Sequence, residues 1–241
     1  MKKYLLLLLI GSLSCAVVYG QNFNYAPNSL NIPAVKKRGD ICVGAAWGHA
    51  LNSADVQLTY TPIKHFLVTA NYFGIHKKAV RNQADTGTDY FFGEIAAGVY
   101  ETHKRGTTSL LAGYGGGRIF SNFELNNSSE LNLQRWFIQP GYAYKSEFFQ
   151  AAVGIRFSRL NYAKGNVSFS IDPVNLGYIQ RIEQKNPIFL PELGIQAGIV
   201  FKPMYLGLAV SSIFPDTNLW DFARLNAALV LSTTFNTRRK G

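Results

Sequence analysis

The chain has 241 residues, 47% of them hydrophobic and 14% aromatic, with 22 glycines, a mean hydropathy near zero and a net charge of +10. That length suits one barrel or one to two ordinary domains. No stretch after residue 20 has the run of about 20 apolar residues that a spanning helix needs. The positive charge is scattered. Its densest runs, Lys36-Lys37-Arg38 and Arg238-Arg239-Lys240, lie at the two ends of the patterned region. With no nucleic-acid-binding module beside them, they read as solvated termini and not as a nucleic-acid surface.

Residues 1–20 have the form of a secretory signal peptide. Lys2-Lys3 supply a positive start, Leu5 to Ile10 an apolar segment too short to span, and Val18-Tyr19-Gly20 a cleavage site. Ser12-Leu13-Ser14-Cys15 loosely follows a lipobox, so Cys15 is the alternative processing point and the candidate for lipidation. The usual Leu three residues before the cysteine is here Ser12. Cleavage after Gly20 leaves about 220 residues and Cys42 as the one thiol, which excludes an intramolecular disulfide.

Residues 21–38 are a polar, proline-marked stretch, expected to be a periplasmic N-terminal arm. Alternation then begins, with one greasy face and a period of two, which is the strand signature. Ile41, Val43, Ala45 and Trp47 alternate with small residues; Ala54, Val56, Leu58 and Tyr60 with Asp55, Gln57 and Thr59; Phe66, Val68, Ala70 and Tyr72 with Leu67, Thr69 and Asn71. A long polar connection, 74–88, precedes a strand at 89–101 carrying Phe91, Ile95, Ala97 and Val99 opposite Glu94. A tight turn at 102–106 leads to the glycine-rich strand 107–119, and a second long loop follows at 122–132.

Trp136, Ile138, Tyr142 and Tyr144 oppose Arg135, Gln139 and Gly141. After a turn at Lys145-Ser146, Val153, Ile155 and Phe157 oppose Gln150, Gly154 and Arg156. The longest connection runs from about 159 to 187, with a short helix expected within 174–185 and a strand extension at 166–171. Leu193, Ile195, Ala197 and Ile199 then oppose Glu192, Gln196 and Gly198. A turn at Lys202-Pro203, a strand near 205–211, a loop at 215–221 and a last strand ending at Phe235 complete the pattern.

The count is about ten strands; eight or twelve follow if the first hairpin or residues 166–171 are read otherwise. Connections after strands two, four, six and eight are short, and those after three, five, seven and nine are longer. Tight turns on one side and long loops on the other are what a chain makes when it threads a membrane back and forth. The fold expected is an all-β, transmembrane, antiparallel up-and-down β-barrel over 39–236 in an outer membrane, with a basic tail at 237–241.

An outward apolar face leaves the opposite face to line the lumen. That set holds Asp55, Gln57, Glu94, Arg135, Gln139, Gln150, Arg156, Glu192, Gln196 and Asn226. A ten-stranded barrel is narrow enough for side chains to fill. Glu94, Arg135, Arg156 and Glu192 are expected to neutralise one another as an ion-pair plug, since a charge buried alone is costly. Trp47, Trp136 and Trp220, with Tyr60, Tyr72, Tyr100 and Tyr144, are expected in interfacial belts. No residues show catalytic, cofactor-binding or metal-ligand spacing. Gly115-Gly116-Gly117 lacks the Gly-Lys-Ser/Thr ending of a phosphate loop.

Tyr25-Ala26-Pro27-Asn28-Ser29-Leu30-Asn31-Ile32-Pro33, followed by Gly39-Asp40 opening a strand, resembles the start of uncharacterised outer-membrane barrels of the Bacteroidota. Those proteins show a Tyr-x-Pro-Asn-x-x-Asn-x-Pro stretch and then Gly-Glu; here Asp40 replaces the Glu. The resemblance implies an outer-membrane barrel of Gram-negative origin and brings no catalytic residues. The last strand, Leu229 to Phe235, also resembles the aromatic-ended signal read by the barrel insertion machinery.

The expected role is structural or surface-interacting, not enzymatic. The partners would be outer-membrane lipids, the insertion machinery and an unidentified extracellular ligand or protein, with no cofactor and no nucleic acid. The alternatives are a membrane-embedded lipid-modifying enzyme with a polar catalytic group near the outer lipid boundary, such as His76 or Ser121 with a carboxylate, and a narrow channel or small-solute transporter.

Overall fold

The computed structural model describes residues 24–48, 52–78, 87–122, 127–163, 167–168, 177, 180–182, 184–215 and 222–237. The expected signal peptide, Cys15, Trp220 and the basic tail beyond Thr237 lie outside the described residues.

Among the described residues eleven strands form one sheet: β1 Asp40–Gly48, β2 Ser53–Ile63, β3 Phe66–Lys78, β4 Gly87–Thr102, β5 Gly106–Asn122, β6 Ser128–Lys145, β7 Phe149–Ala163, β8 Val167–Ser168, β9 Ile188–Phe201, β10 Met204–Ile213 and β11 Leu225–Asn236. Ten of them form a wall in which each pairs antiparallel with its neighbours. β8 is a two-residue ladder that lengthens the wall, Val167 opposite Ser129 and Ser168 opposite Ser128. β11 returns to pair with β1, Phe235 opposite Ile41 and Leu229 opposite Trp47, so the ten-stranded wall closes on itself. Closure removes the unpaired edge groups that would otherwise template association.

The strands run further than their apolar alternation indicated. Segments expected to be loops at 74–88 and 122–132 begin and end as wall: His76 lies opposite Asp89, and Ser121 opposite Ser129. The greasy side of these extensions faces inward, so they lack the outward apolar signature of the strands' middle portions. Residues 177, 180–182 and 184 are helical, within the stretch where a helix was expected.

Local chemistry sets the corners. Pro62 sits at a register shift between Tyr60 and Ile63, just before the β2–β3 turn. His65 takes a positive φ of 64° in that turn. Pro140 brings no N–H, and the β6–β7 ladder skips from Ile138–Phe157 to Gly141–Gly154 without losing register.

The polarity of the wall reverses along its height. In the middle, the outward residue is apolar and its inward neighbour charged: Ile95 is 67% exposed beside buried Glu94, Trp136 57% beside buried Arg135, and Phe157 57% beside buried Arg156. Toward the long-connection end the order inverts. His76 and Asp89 pair on the outside, as do Arg118 and Glu130 at 3.0 Å, while their neighbours Ile75, Tyr90, Ile119 and Leu131 are buried within. At the short-turn end, His65 pairs outside with Glu101 at 2.8 Å, and Tyr100 is buried inside with Leu67, Leu111 and Phe137. Tyr100 therefore corrects its expected place in an outer belt: it sits one position out of phase with Val99 and Glu101 and points inward.

Candidate functional site in the barrel lumen

The space within the wall is filled by the chain itself. Residues 24–35, expected beyond the barrel as a periplasmic arm, run through the lumen from end to end, with Tyr25, Asn28, Leu30, Ile32 and Val35 all buried. Twelve extended residues reach about 40 Å, enough to match a wall of this height. Pro27 and Pro33 favour the extended conformation and remove two donors that no ladder here would satisfy.

The arm enters at the long-connection end. Tyr25 makes a parallel bridge with Phe222, Ala223 N–H donates to Tyr25 C=O at 2.8 Å, and the Tyr162 hydroxyl donates to Asn24 C=O at 3.0 Å. It leaves at the short-turn end, where the Thr107 hydroxyl donates to Val35 C=O at 2.7 Å. Gly39, at φ 84°, then turns the chain back up into β1. Asp40 holds that reversal: one carboxylate oxygen accepts the Lys36 and Lys37 N–H groups at 2.9 and 3.0 Å, and the other accepts Asn236 Nδ2 at 2.7 Å.

A buried backbone with no ladder still needs partners, and the wall supplies them as side-chain amides. Asn226 donates to Pro27 C=O at 3.0 Å, Gln57 to Ser29 C=O at 2.8 Å, Gln196 to Leu30 C=O at 2.7 Å and Gln139 to Asn31 C=O at 2.8 Å. Asn31 Nδ2 donates to Asn71 at 2.9 Å. Glycines in the wall make room for the arm's apolar residues. A Cβ at Gly194 would lie 2.9 Å from Leu30, and one at Gly154 would lie 3.0 Å from Ile32.

The charged layer lies at the height of Asn28. Glu94 accepts hydrogen bonds from Arg135 through one oxygen, and from Arg156 at 3.1 Å and Asn71 at 2.7 Å through the other. Arg135 also lies 3.6 Å from Glu192, whose carboxylate accepts the Ser158 hydroxyl at 2.6 Å. The structure thus brings Glu94, Arg135, Arg156 and Glu192 together, all buried. Asn28 stands at their centre: its carbonyl accepts from Arg135 and Arg156, each at 3.0 Å, and its amide donates to Glu94 at 3.3 Å. Arg135 donates as well to the Tyr25 hydroxyl at 2.5 Å.

Aromatic faces close over the guanidinium groups, with Arg135 Cζ 4.5 Å from the Phe92 ring centroid and Arg156 Cζ 4.4 Å from that of Phe137. Asp55, elsewhere on the inner wall, accepts Ser29 N–H at 3.3 Å.

At the outer rim, His76 and Asp89 form the pair that a lipid-modifying site would use, both on the outside of the wall. Ser121 is buried inside and bonds to the Thr88 hydroxyl at 3.2 Å, so the wall separates it from that pair. Sequence reasoning placed the lumen charges but missed Tyr25, Asn28 and Asn31. A signal was present: Gln57, Gln139, Gln196 and Asn226 exceed what an ion-pair network needs, and so called for another polar partner. No protein-family model matches the chain, and no curated protein matches it.

Proposed function

We propose that this protein is an outer-membrane β-barrel whose lumen is closed by its own N-terminal arm. On this reading its role is structural or surface-interacting, exercised through the long-connection end and without catalytic chemistry. The observation that carries the reading is the reversal of polarity along the wall. On β4 the outward residues from Phe91 to Val99 carry no charge, and they are bounded by Asp89 above and Glu101 below. About nine to eleven tilted residues cross a bilayer. A barrel dissolved in water would have no reason to expose Ile95, Trp136, Phe157 and Phe189 in one band while burying Glu94, Arg135, Arg156 and Glu192. Lipid around the middle and water at both rims accounts for both.

The packed interior favours this role over a standing channel, since the arm occupies the route a solute would take. The resemblance to Bacteroidota barrels supports the same location. The test is mobility: protein folded in detergent is expected to migrate faster unboiled than boiled, and the native chain to fractionate with the outer membrane. A soluble periplasmic pool with no mobility shift would overturn the reading.

A further inference from the structure

The direction in which the arm is threaded has a consequence for topology. Asn24 and Tyr25 lie among the ends of β7 and the β10–β11 connection, at the long-connection end. Val35 to Asp40 lie at the short-turn end, beside Thr61 and Thr107. Between them the chain descends the whole lumen before β1 climbs back. In outer-membrane barrels the long loops face the exterior and the short turns the periplasm.

We propose that the amino terminus of the processed chain is presented on the cell surface, carried there through the barrel by residues 24–35. This rests on the outer-membrane reading above. The barrel is built to hold such a thread. Its amides bind main-chain carbonyls of the arm at four positions, its glycines receive Leu30 and Ile32, and its two arginines converge on Asn28. These bonds run from Pro27 to Asn31, and the Thr107 hydroxyl holds Val35 at the short-turn end, so the arm is held along its length and not only at one mouth.

The test uses the full chain expressed in the outer membrane of a Gram-negative host, with Cys42→Ala as background. Two single-cysteine variants are compared: Asn22→Cys, two residues ahead of Asn24, and Lys37→Cys at the exposed short-turn end. A membrane-impermeant biotin–maleimide is applied to intact cells and to cells with a permeabilised outer membrane. The expected result is that N22C is labelled in intact cells and K37C only after permeabilisation. Labelling of N22C only after permeabilisation, in protein recovered from the outer membrane, overturns the proposal while leaving the barrel reading intact.

Recovery of both variants in the soluble periplasm overturns the two together. An epitope inserted after Gln21 gives a second readout that does not depend on thiol reactivity. Its removal by protease from intact cells supports surface presentation. Its survival there, with loss after permeabilisation, refutes it.

Discussion

Asn28 does two jobs that no charged residue could do in its place. Its carbonyl draws Arg135 and Arg156 toward one point, and its amide turns to Glu94. An aspartate would lose the donor and a lysine the acceptor. The layer around it is buried and interlocked, so removing one charge leaves others uncompensated. Glu94→Gln keeps the shape but strips the negative charge from between two guanidinium groups. Breaking a buried ion pair from one side costs about 3–5 kcal/mol. The variant is expected to convert from the fast to the slow gel band at a clearly lower temperature than the parent chain, and an unchanged conversion temperature would refute a stabilising role.

The wall glycines make a second prediction at this scale. Gly194→Val adds a Cβ 2.9 Å from Leu30. Overpacking of this kind costs about 1–3 kcal/mol, and here the strain falls on the arm more than on the ladder. Limited proteolysis should cut the arm of G194V faster than that of the parent, with the barrel fragment left whole.

Among the elements, the strands and the arm differ in what a sequence can reveal. Each strand announces itself by alternation, because one face meets a single kind of surroundings over many residues. Ile95 beside Glu94 and Trp136 beside Arg135 are legible for that reason. So is the convergence of the four charged residues, since inward positions of a closed ten-stranded wall have nowhere else to point. The wall's extensions beyond the apolar band were illegible because their greasy face changes sides there: Tyr90 and Leu131 turn inward where Asp89 and Glu130 turn out.

The arm was harder still. It makes no ladder, its partners come from eight wall strands distant in sequence, and Tyr25 to Val35 shows no period that separates a buried thread from a solvated one. If the arm is what fills the lumen, deleting residues 22–35 should open it. Planar-bilayer recordings of that variant are expected to show steady conductance where the full chain is silent, and silence from both would mean that the wall's side chains close the lumen without help.

For the whole molecule, the arm makes the barrel a solid body in place of a tube. Three layers stack along its axis: apolar at the long-connection end, charged and amide-rich in the middle, apolar again near the short turns. Each layer takes something from the arm, namely Tyr25, then Asn28 and Asn31, then Val35. The thread and the wall therefore depend on each other for their buried polar groups.

The orientation of the arm also fixes how the molecule would bear a mechanical load. A pull on the end near Tyr25, directed away from the barrel, acts along the arm and sets its side-chain bonds in shear together, in contrast to peeling them apart in turn. Beyond those bonds the strain passes round Gly39 and Asp40 into β1, which is paired on one side to β2 and on the other to β11. Tension applied at one mouth is thus taken up at the other, at the seam where the first and last strands meet. The fold has the mechanics of a rope drawn through a bollard and made fast beneath it.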